Sequence, residues 1–202
     1  MTGAKTPWMV VLIFLSTALS GCGGLSHPVD PQPASPGELT SHAARVQPGK
    51  ETHLPATTSP RAAYHAFQQT IREKRYEDTW RLLSSGTQDR CRAAAADLKV
   101  RVLNYPAPRA SDLDILYFSG LTRRTVKNLT GKMYFVASSK MRDKDPEAFA
   151  PVIKSEYDHE VIRGGEAKVY VKINGRRTDE PMTFVQEGGV WRVDLPGASG
   201  GN

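Results

Sequence analysis

The sequence predicts an α+β domain in which N-terminal helices pack on a curved C-terminal antiparallel sheet. Apolar residues recur every three or four positions from residue 60 to about residue 98, which is the period of an amphipathic helix. From residue 155 to residue 195 the period changes to two, which is typical of half-buried strands. Asn174-Gly175 and Gly188-Gly189 supply tight turns between those strands. Helices followed by a strand meander indicate the α+β class.

The first half of this domain contains the helix signals. Ser59-Pro60 predicts an N-cap and a first helical turn, and a second short helix is expected to end near residues 84–86. Thr87 is expected to cap a third helix. The apolar residues of the three helices are Ala63, Tyr64, Phe67, Ile71, Tyr76, Trp80, Leu83, Cys91, Ala94, Ala95 and Leu98. The prolines of Tyr105-Pro106-Ala107-Pro108 end the helical run.

The middle of the domain is less regular. Residues 112–118 fit either a helix or a strand, and Leu121-Thr122 predicts a further helix start. An apolar segment follows at residues 133–136. Residues 155–162 and 167–173 then alternate strictly, so we expect one face of each strand to pack on the helices.

The N-terminus carries a separate signal. Lys5 precedes an unbroken apolar run at residues 8–15 and the small residues Ser16, Thr17 and Ala18, which is the pattern of a secretory signal peptide. The run is too short to span a bilayer. Leu19-Ser20-Gly21-Cys22 resembles the bacterial lipobox, and the resemblance implies cleavage before Cys22 and diacylglyceryl modification of its thiol. An ordinary secreted protein with a chance cysteine is the alternative.

The predicted lipid anchor determines the expected location. Two or three acyl chains anchor a protein stably in a membrane, whereas a single chain binds only weakly. The resemblance to lipoproteins implies a bacterial cell envelope protein. Gly23 stands where an aspartate would retain a lipoprotein at the inner membrane, so we expect the outer membrane, with the domain facing the periplasm.

Composition divides the chain into four segments: a signal peptide (1–21), a lipidated cysteine with a Pro-rich tether (22–58), the α+β domain (59–197) and a short tail (198–202). The tether is rich in Pro, Ser and Thr and predicts disorder. Residues 1–58 contain three charges of each sign, so the net charge of +6 belongs to the domain and the tail. The envelope location argues against a nucleic-acid partner. With Cys22 lipidated, Cys91 cannot form an intramolecular disulfide; it is either a small buried residue or, given Arg90 and Arg92 beside it, a reactive thiol.

Two segments of the domain resemble a known family. Residues 62–88 (AAYHAFQQTIREKRYEDTWRLLSSGTQ) and 166–196 (EAKVYVKINGRRTDEPMTFVQEGGVWRVDLP) are similar to the opening and the end of nuclear-transport-factor-like domains, also called cystatin-like α+β cones. The resemblance covers roughly residues 60–196 and implies a curved sheet wrapped around a long helix with a pocket at the open end. It also makes a homodimer an open alternative. It implies no single activity, because this fold carries both enzymes and binding modules.

Two groups of residues are candidates for function. Alternation places Tyr157 and His159 on one face of their strand, where His159 with Tyr157 beside it could act as a general base near neutral pH. The alternative is that His159 lies at a sheet edge or makes only a structural hydrogen bond. The second group is a run of seven cations with one acid between residues 123 and 144: Arg123, Arg124, Lys127, Lys132, Lys140, Arg142 and Lys144. No metal-ligand spacing and no phosphate-binding glycine loop is present in the sequence, so no cofactor is expected.

Three hypotheses follow. The first is a noncatalytic envelope lipoprotein whose domain binds a small apolar ligand or an envelope protein. The second is an isomerase, dehydratase or hydrolase that uses Tyr157 and His159. The third is a module that contacts anionic lipid or cell-wall polymer through the cations of residues 123–144.

Overall fold

The structure is a computed structural model that describes residues 56–196. The predicted signal peptide, Cys22, nearly all of the predicted tether and the tail lie outside the described residues, so the predictions for them stay predictions. The described helices are α1 (Pro60–Arg72), α2 (Tyr76–Leu82), α3 (Ser85–Asn104), α4 (Ala110–Phe118), α5 (Gly131–Arg142) and α6 (Ala150–Ile153), with a 3₁₀ turn at Val126–Asn128. The strands are β1 (Ser155–Arg163), β2 (Glu166–Ile173), β3 (Arg176–Arg177), β4 (Met182–Glu187) and β5 (Val190–Asp194).

The sheet is antiparallel throughout and has the order β1-β2-β4-β5, with the short β3 paired to β2. Asn174 and Gly175 both have positive φ angles (51° and 74°), as a two-residue hairpin turn requires. Helices in the first part and an antiparallel sheet at the end confirm the predicted α+β class.

Helix starts follow local capping chemistry. The Ser59 hydroxyl accepts a hydrogen bond from the Ala62 amide at 3.1 Å, which confirms the predicted cap of α1. The expected cap at Thr87 is wrong, because Ser84 caps α3 and the Thr87 amide donates to its hydroxyl at 3.0 Å. Ser84 is also held by the sheet, since its amide donates to the Val193 carbonyl at 2.8 Å.

The ambiguous segment 112–118 is helical and belongs to α4. A helix start at Leu121-Thr122 is wrong: the Thr122 amide bonds to the Thr125 hydroxyl at 2.9 Å, and only a 3₁₀ turn follows. The next helix, α5, instead begins after Thr130, whose hydroxyl accepts from the Met133 amide.

Two clusters of buried side chains stabilise the described region. The first lies between α1 and the inner face of the sheet and includes Tyr64, Phe67, Val169, Val171, Phe184, Trp191 and Val193. The second joins α3, α4 and α5 and includes Leu98, Val102, Ile115, Leu116, Leu129, Tyr134 and Ala137. All buried residues of both clusters lie between residues 63 and 195, so the segment before residue 56 contributes none of them.

Candidate functional site

Tyr157 and His159 do not share a face of β1. Tyr157 pairs with Val171 and His159 pairs with Tyr170, because a β-bulge shifts the register between them and leaves Asp158 as the extra residue. Val171 is buried in the core, whereas the imidazole of His159 stacks flat on Tyr170 on the other face, with ring centroids 4.6 Å apart. The expectation that alternation brings Tyr157 and His159 together is therefore wrong.

The bulge places the carboxylate of Asp158 among cations on the outer face of the sheet. It accepts from Lys172 at 2.7 Å, from Arg177 at 2.6 Å and contacts His159 Nδ1 at 2.8 Å. The hydrogen bond from Lys172, followed by that from His159, holds the pKa of Asp158 well below its usual range. This cluster ties the β2–β3 hairpin to β1, and His159 belongs to it as a hydrogen-bonding neighbour of Asp158.

Tyr157 faces the opposite way and packs against α1. Its ring lies 6.1 Å from that of Tyr64 and 6.2 Å from that of His65, and the guanidinium of Arg61 sits 4.9 Å above it. Burial and the Glu160 carboxylate raise the pKa of Tyr157. A phenol whose pKa is raised stays protonated near neutral pH and has no imidazole partner at His159, so the geometry required by the second hypothesis is not formed.

Side chains fill the space between α1 and the sheet, where the cone resemblance implies a pocket. Tyr64, Val169, Val171 and Phe184 are all fully buried there. The Tyr64 hydroxyl donates to the Ser155 carbonyl at 3.0 Å and lies 2.8 Å from the Ser155 hydroxyl, and burial raises the Tyr64 pKa. A ligand site therefore has to be sought on the surface of the domain rather than between α1 and the sheet.

Cys91 is buried on the core side of α3. Burial raises the pKa of its thiol to about 11, and the nearby Arg90 and Arg92 only partly oppose this shift. The buried-residue interpretation of Cys91 is therefore favoured over the reactive thiol.

The residues of the predicted basic run lie in three parts of the structure: the segment before α5, α5 itself and the segment after it. Arg123, Arg124 and Lys127 lie in the exposed segment before α5, and Lys132 lies in the first turn of that helix. At the other end of α5, Lys140 is exposed and Lys144 stacks on the ring of Phe118 at 4.7 Å. Arg142 is partly buried, and burial lowers the pKa of its guanidinium. Lys132 and Lys140 nevertheless line one surface cleft together with Phe118, so part of the run does share a surface. Lys132 also meets cations from elsewhere in the chain.

That meeting point is an open cleft of about 410 Å³, which we name the Trp80 cleft. Its wall is Trp80, at the C-terminal half of α2, and its cations come from two helices. The lining residues are Trp80, Arg92, Ala95, Lys99, Leu129, Thr130, Gly131 and Lys132, and none of them is acidic. A flat aromatic ring, small apolar contacts and three cations therefore share one concave surface.

Gly131 allows the two helices of the cleft to meet. A Cβ atom at this position would lie 2.9 Å from the Arg92 amide nitrogen and 3.0 Å from its Cα atom, which is closer than real Cβ contacts. Only glycine lets the start of α5 approach the α3 backbone so closely. The first residues of α5, Gly131 and Lys132, therefore line the cleft beside α3.

The cleft cations are weakly engaged within the protein. Lys132 pairs with the exposed Glu77 at 2.7 Å. The hydrogen bond from Lys132 is the largest cause of the lowered pKa of Glu77. Arg92 pairs with the exposed Asp89 of its own helix. Lys99 forms no ion pair with any residue in 56–196. Exposed pairs contribute little stability, so an anionic ligand can compete for these cations.

Sequence reasoning identified only Lys132 of this site. In the sequence, Trp80 belongs to the apolar stripe of the second helix, and Arg92 stands out only as a neighbour of Cys91. The missing information was the packing of α5 across α3, for which Gly131 directly after Thr130 is the one local signal.

Comparisons with known proteins provide no family for this site: no family model, curated protein or solved structure matches the chain. The nuclear-transport-factor-like resemblance therefore stays a prediction. Within the described residues, no helix is long and apolar enough to cross a membrane. In the same part of the chain, no group of three or more His, Cys, Asp or Glu residues is placed to hold a metal ion.

Proposed function

We propose that this chain is a noncatalytic, lipid-anchored envelope protein whose domain binds an anionic saccharide polymer in the Trp80 cleft. The observation that carries the proposal is the meeting of one indole ring and three cations in one cleft whose lining includes no acidic residue. The acids that pair with Lys132 and Arg92, Glu77 and Asp89, are exposed beside the cleft. The lipobox supplies the predicted location, and the envelope is where anionic polymers surround such a protein.

The chemistry of the cleft favours a ring-containing anion over a simple ion. Lysine and arginine side chains attract phosphate, sulfate or carboxylate groups. The apolar face of a sugar ring packs on an indole ring, which offers a large rigid surface. An open cleft can accept an internal segment of a polymer, since neither end of the ligand has to enter a closed cavity.

The test uses the chain from residue 22 onward with Cys22→Ser, which we call the anchor-free chain. This chain retains every residue of both buried clusters. Its affinity is measured for dextran sulfate (sugar and charge), dextran (sugar alone) and polyacrylate (charge alone). We expect dextran sulfate to bind most tightly, and its affinity to fall as salt rises.

Two variants separate the contributions. Trp80→Leu keeps an apolar side chain in α2 and is expected to weaken dextran sulfate binding about fivefold to tenfold, while changing polyacrylate binding less than about twofold. Lys99→Gln is expected to weaken both polyanions by up to about fivefold. Arg176→Gln, on β3, is the matched control because it removes a cation outside the cleft.

Binding of dextran sulfate that neither cleft variant weakens would reject the Trp80 cleft as the site. Turnover of an envelope-derived substrate by the purified protein would contradict the noncatalytic part of the proposal. Circular dichroism of each variant establishes that the fold is retained.

A further inference from the structure

A second surface, distinct from the Trp80 cleft, lies where α3 ends and α4 begins. Leu103 and Tyr105 are 51% and 59% exposed at the end of α3, although they are large apolar side chains. On α4, Leu113 and Tyr117 lie one turn apart and are 46% and 75% exposed. We call these four residues, together with Arg123 and Arg124, the α3–α4 surface.

Arg123 connects the cations to the apolar part of this surface. Its guanidinium donates to the Tyr105 carbonyl at 2.8 Å and to the Pro106 carbonyl at 3.1 Å. These bonds hold the segment before the 3₁₀ turn against the α3–α4 turn. Arg124, the next residue, is exposed and has no hydrogen-bond or ion-pair partner among residues 56–196.

This part of the sequence carries more basic than acidic residues, although Asp97 and Asp143 flank it. Residues 98–142 contain nine lysines and arginines but only two acids, Asp112 and Asp114. Asp112 is buried and pairs with Arg101 at 3.1 Å, so its charge is neutralised within the protein. The α3–α4 surface therefore presents aromatic and aliphatic side chains beside the cations Arg123 and Arg124, with Asp114 of α4 as an acid that forms no ion pair within residues 56–196.

This combination fits an anionic bilayer better than a protein partner. Tyrosine is enriched at the membrane–water interface, where its ring lies at the level of the lipid headgroups. Leucine side chains bury in the boundary below the headgroups, and arginines gain from the negative surface potential of anionic lipids. A protein partner would need a complementary acidic face, whereas anionic lipid supplies negative charge over the whole contact.

The connection to the predicted anchor is compatible with this contact. The Thr57 carbonyl accepts from the Trp191 amide at 2.8 Å, so the chain joins the domain at the β4–β5 hairpin. Glu187 of the same hairpin bonds to Ser85 at the start of α3. The α3–α4 surface lies at the other end of this 20-residue helix, about 30 Å away. The Pro-rich tether predicted from the sequence is long enough for this distance, since a flexible chain of about 35 residues spans roughly 30–35 Å.

We propose that the α3–α4 surface docks onto a bilayer containing anionic phospholipid, and that Tyr105 and Arg124 carry this contact. The contact orients the domain on the membrane to which Cys22 is predicted to attach it. It does not depend on a polymer occupying the Trp80 cleft.

The test measures partition of the anchor-free chain into sedimented vesicles. Two kinds of vesicle are compared. The anionic vesicles contain phosphatidylcholine with about 30% phosphatidylglycerol, whose negative surface charge attracts basic segments, and the neutral vesicles contain phosphatidylcholine alone. Arg124→Gln is expected to weaken partition into the anionic vesicles about fivefold, which is the effect of one basic residue near such a surface. Adding Tyr105→Ser to Arg124→Gln is expected to weaken partition into the anionic vesicles further.

Two controls make the result specific. Arg176→Gln removes an exposed cation on β3 and is expected to change partition less than about twofold. Trp80→Leu is expected to leave partition unchanged, so that failure of the cleft proposal and failure of this one remain distinguishable. Equal partition into both kinds of vesicle would overturn the proposal. An Arg124→Gln effect no larger than that of Arg176→Gln would also overturn it.

Discussion

Replacing Gly131 by alanine tests the helix contact that forms the Trp80 cleft. The new Cβ atom would lie 2.8 Å from Arg92 Cγ and within 3.0 Å of two backbone atoms of Arg92. Since backbone cannot rotate away as a flexible side chain can, α5 has to move from α3. Overpacking of this kind costs about 1–3 kcal/mol. Alanine recovers up to about 1 kcal/mol through its higher helix propensity. We expect a net loss of about 1–2 kcal/mol in the free energy of unfolding.

The assay is urea unfolding of the anchor-free chain, which measures the free energy of unfolding directly. In a thermal melt, the same loss lowers Tm by about 2–8 °C. Gly86→Ala is the matched control, because Gly86 also lies in the first turn of a helix. Its Cβ would meet the nearest atoms at 3.6 Å, an ordinary contact, so this variant should be as stable as the wild type or slightly more stable. If Gly131→Ala were equally well tolerated, the close approach of the two helices would be refuted.

Three further predictions concern single side chains. Cys91, whose pKa burial raises to about 11, should react with iodoacetamide at pH 8 far more slowly in the folded anchor-free chain than in urea, and equal rates would contradict its burial. Asp194 is partly buried, which alone would raise its pKa, but hydrogen bonds from Ser84 and Arg90 outweigh burial and lower it. A lowered folded-state pKa stabilises the protein above the unfolded pKa of about 3.9 and ceases to do so as pH falls through the folded value. Asp194→Asn should therefore cost about 1–3 kcal/mol at pH 7. The difference from the wild type should narrow below pH 4, and a difference constant down to pH 2 would refute the ion-pair account. Asp158→Ala should speed amide hydrogen exchange in the β2–β3 hairpin, since Lys172 and Arg177 lose their shared partner; unchanged exchange would show that the cluster does not hold the hairpin.

The sheet was well predicted from sequence because its information is local. Alternation along residues 167–173 determines which side chains face the core, and Asn174-Gly175 determines the turn. The bulge at Asp158 could not be predicted in this way. Residues 155–161 alternate in the sequence with no break at Asp158, and the ion pairs that favour the bulge come from β2 and β3. One extra residue reverses the face of His159, and the predicted catalytic pair is lost with it.

The helical half was harder to predict because tertiary contacts decide its boundaries. Thr87 looks like a cap in isolation, but Ser84 is fixed by Val193 and by the Asp194 carboxylate, both more than 100 residues away. The candidate site depends on such contacts even more strongly. Lys132 was identified within a charged run, whereas Arg92, Lys99 and Trp80 join it only because α5 crosses α3 at Gly131.

The most direct test of the central claim is a nuclear magnetic resonance titration of the ¹⁵N-labelled anchor-free chain with short dextran sulfate oligosaccharides. We predict that the largest shifts occur at the Trp80 indole N–H and at the amides of Gly131 and Lys132, and that Trp80→Leu reduces the shifts of both amides. Shifts centred on Tyr105 and Arg124, or on the outer face of the sheet around His159, would contradict the Trp80 cleft as the binding site.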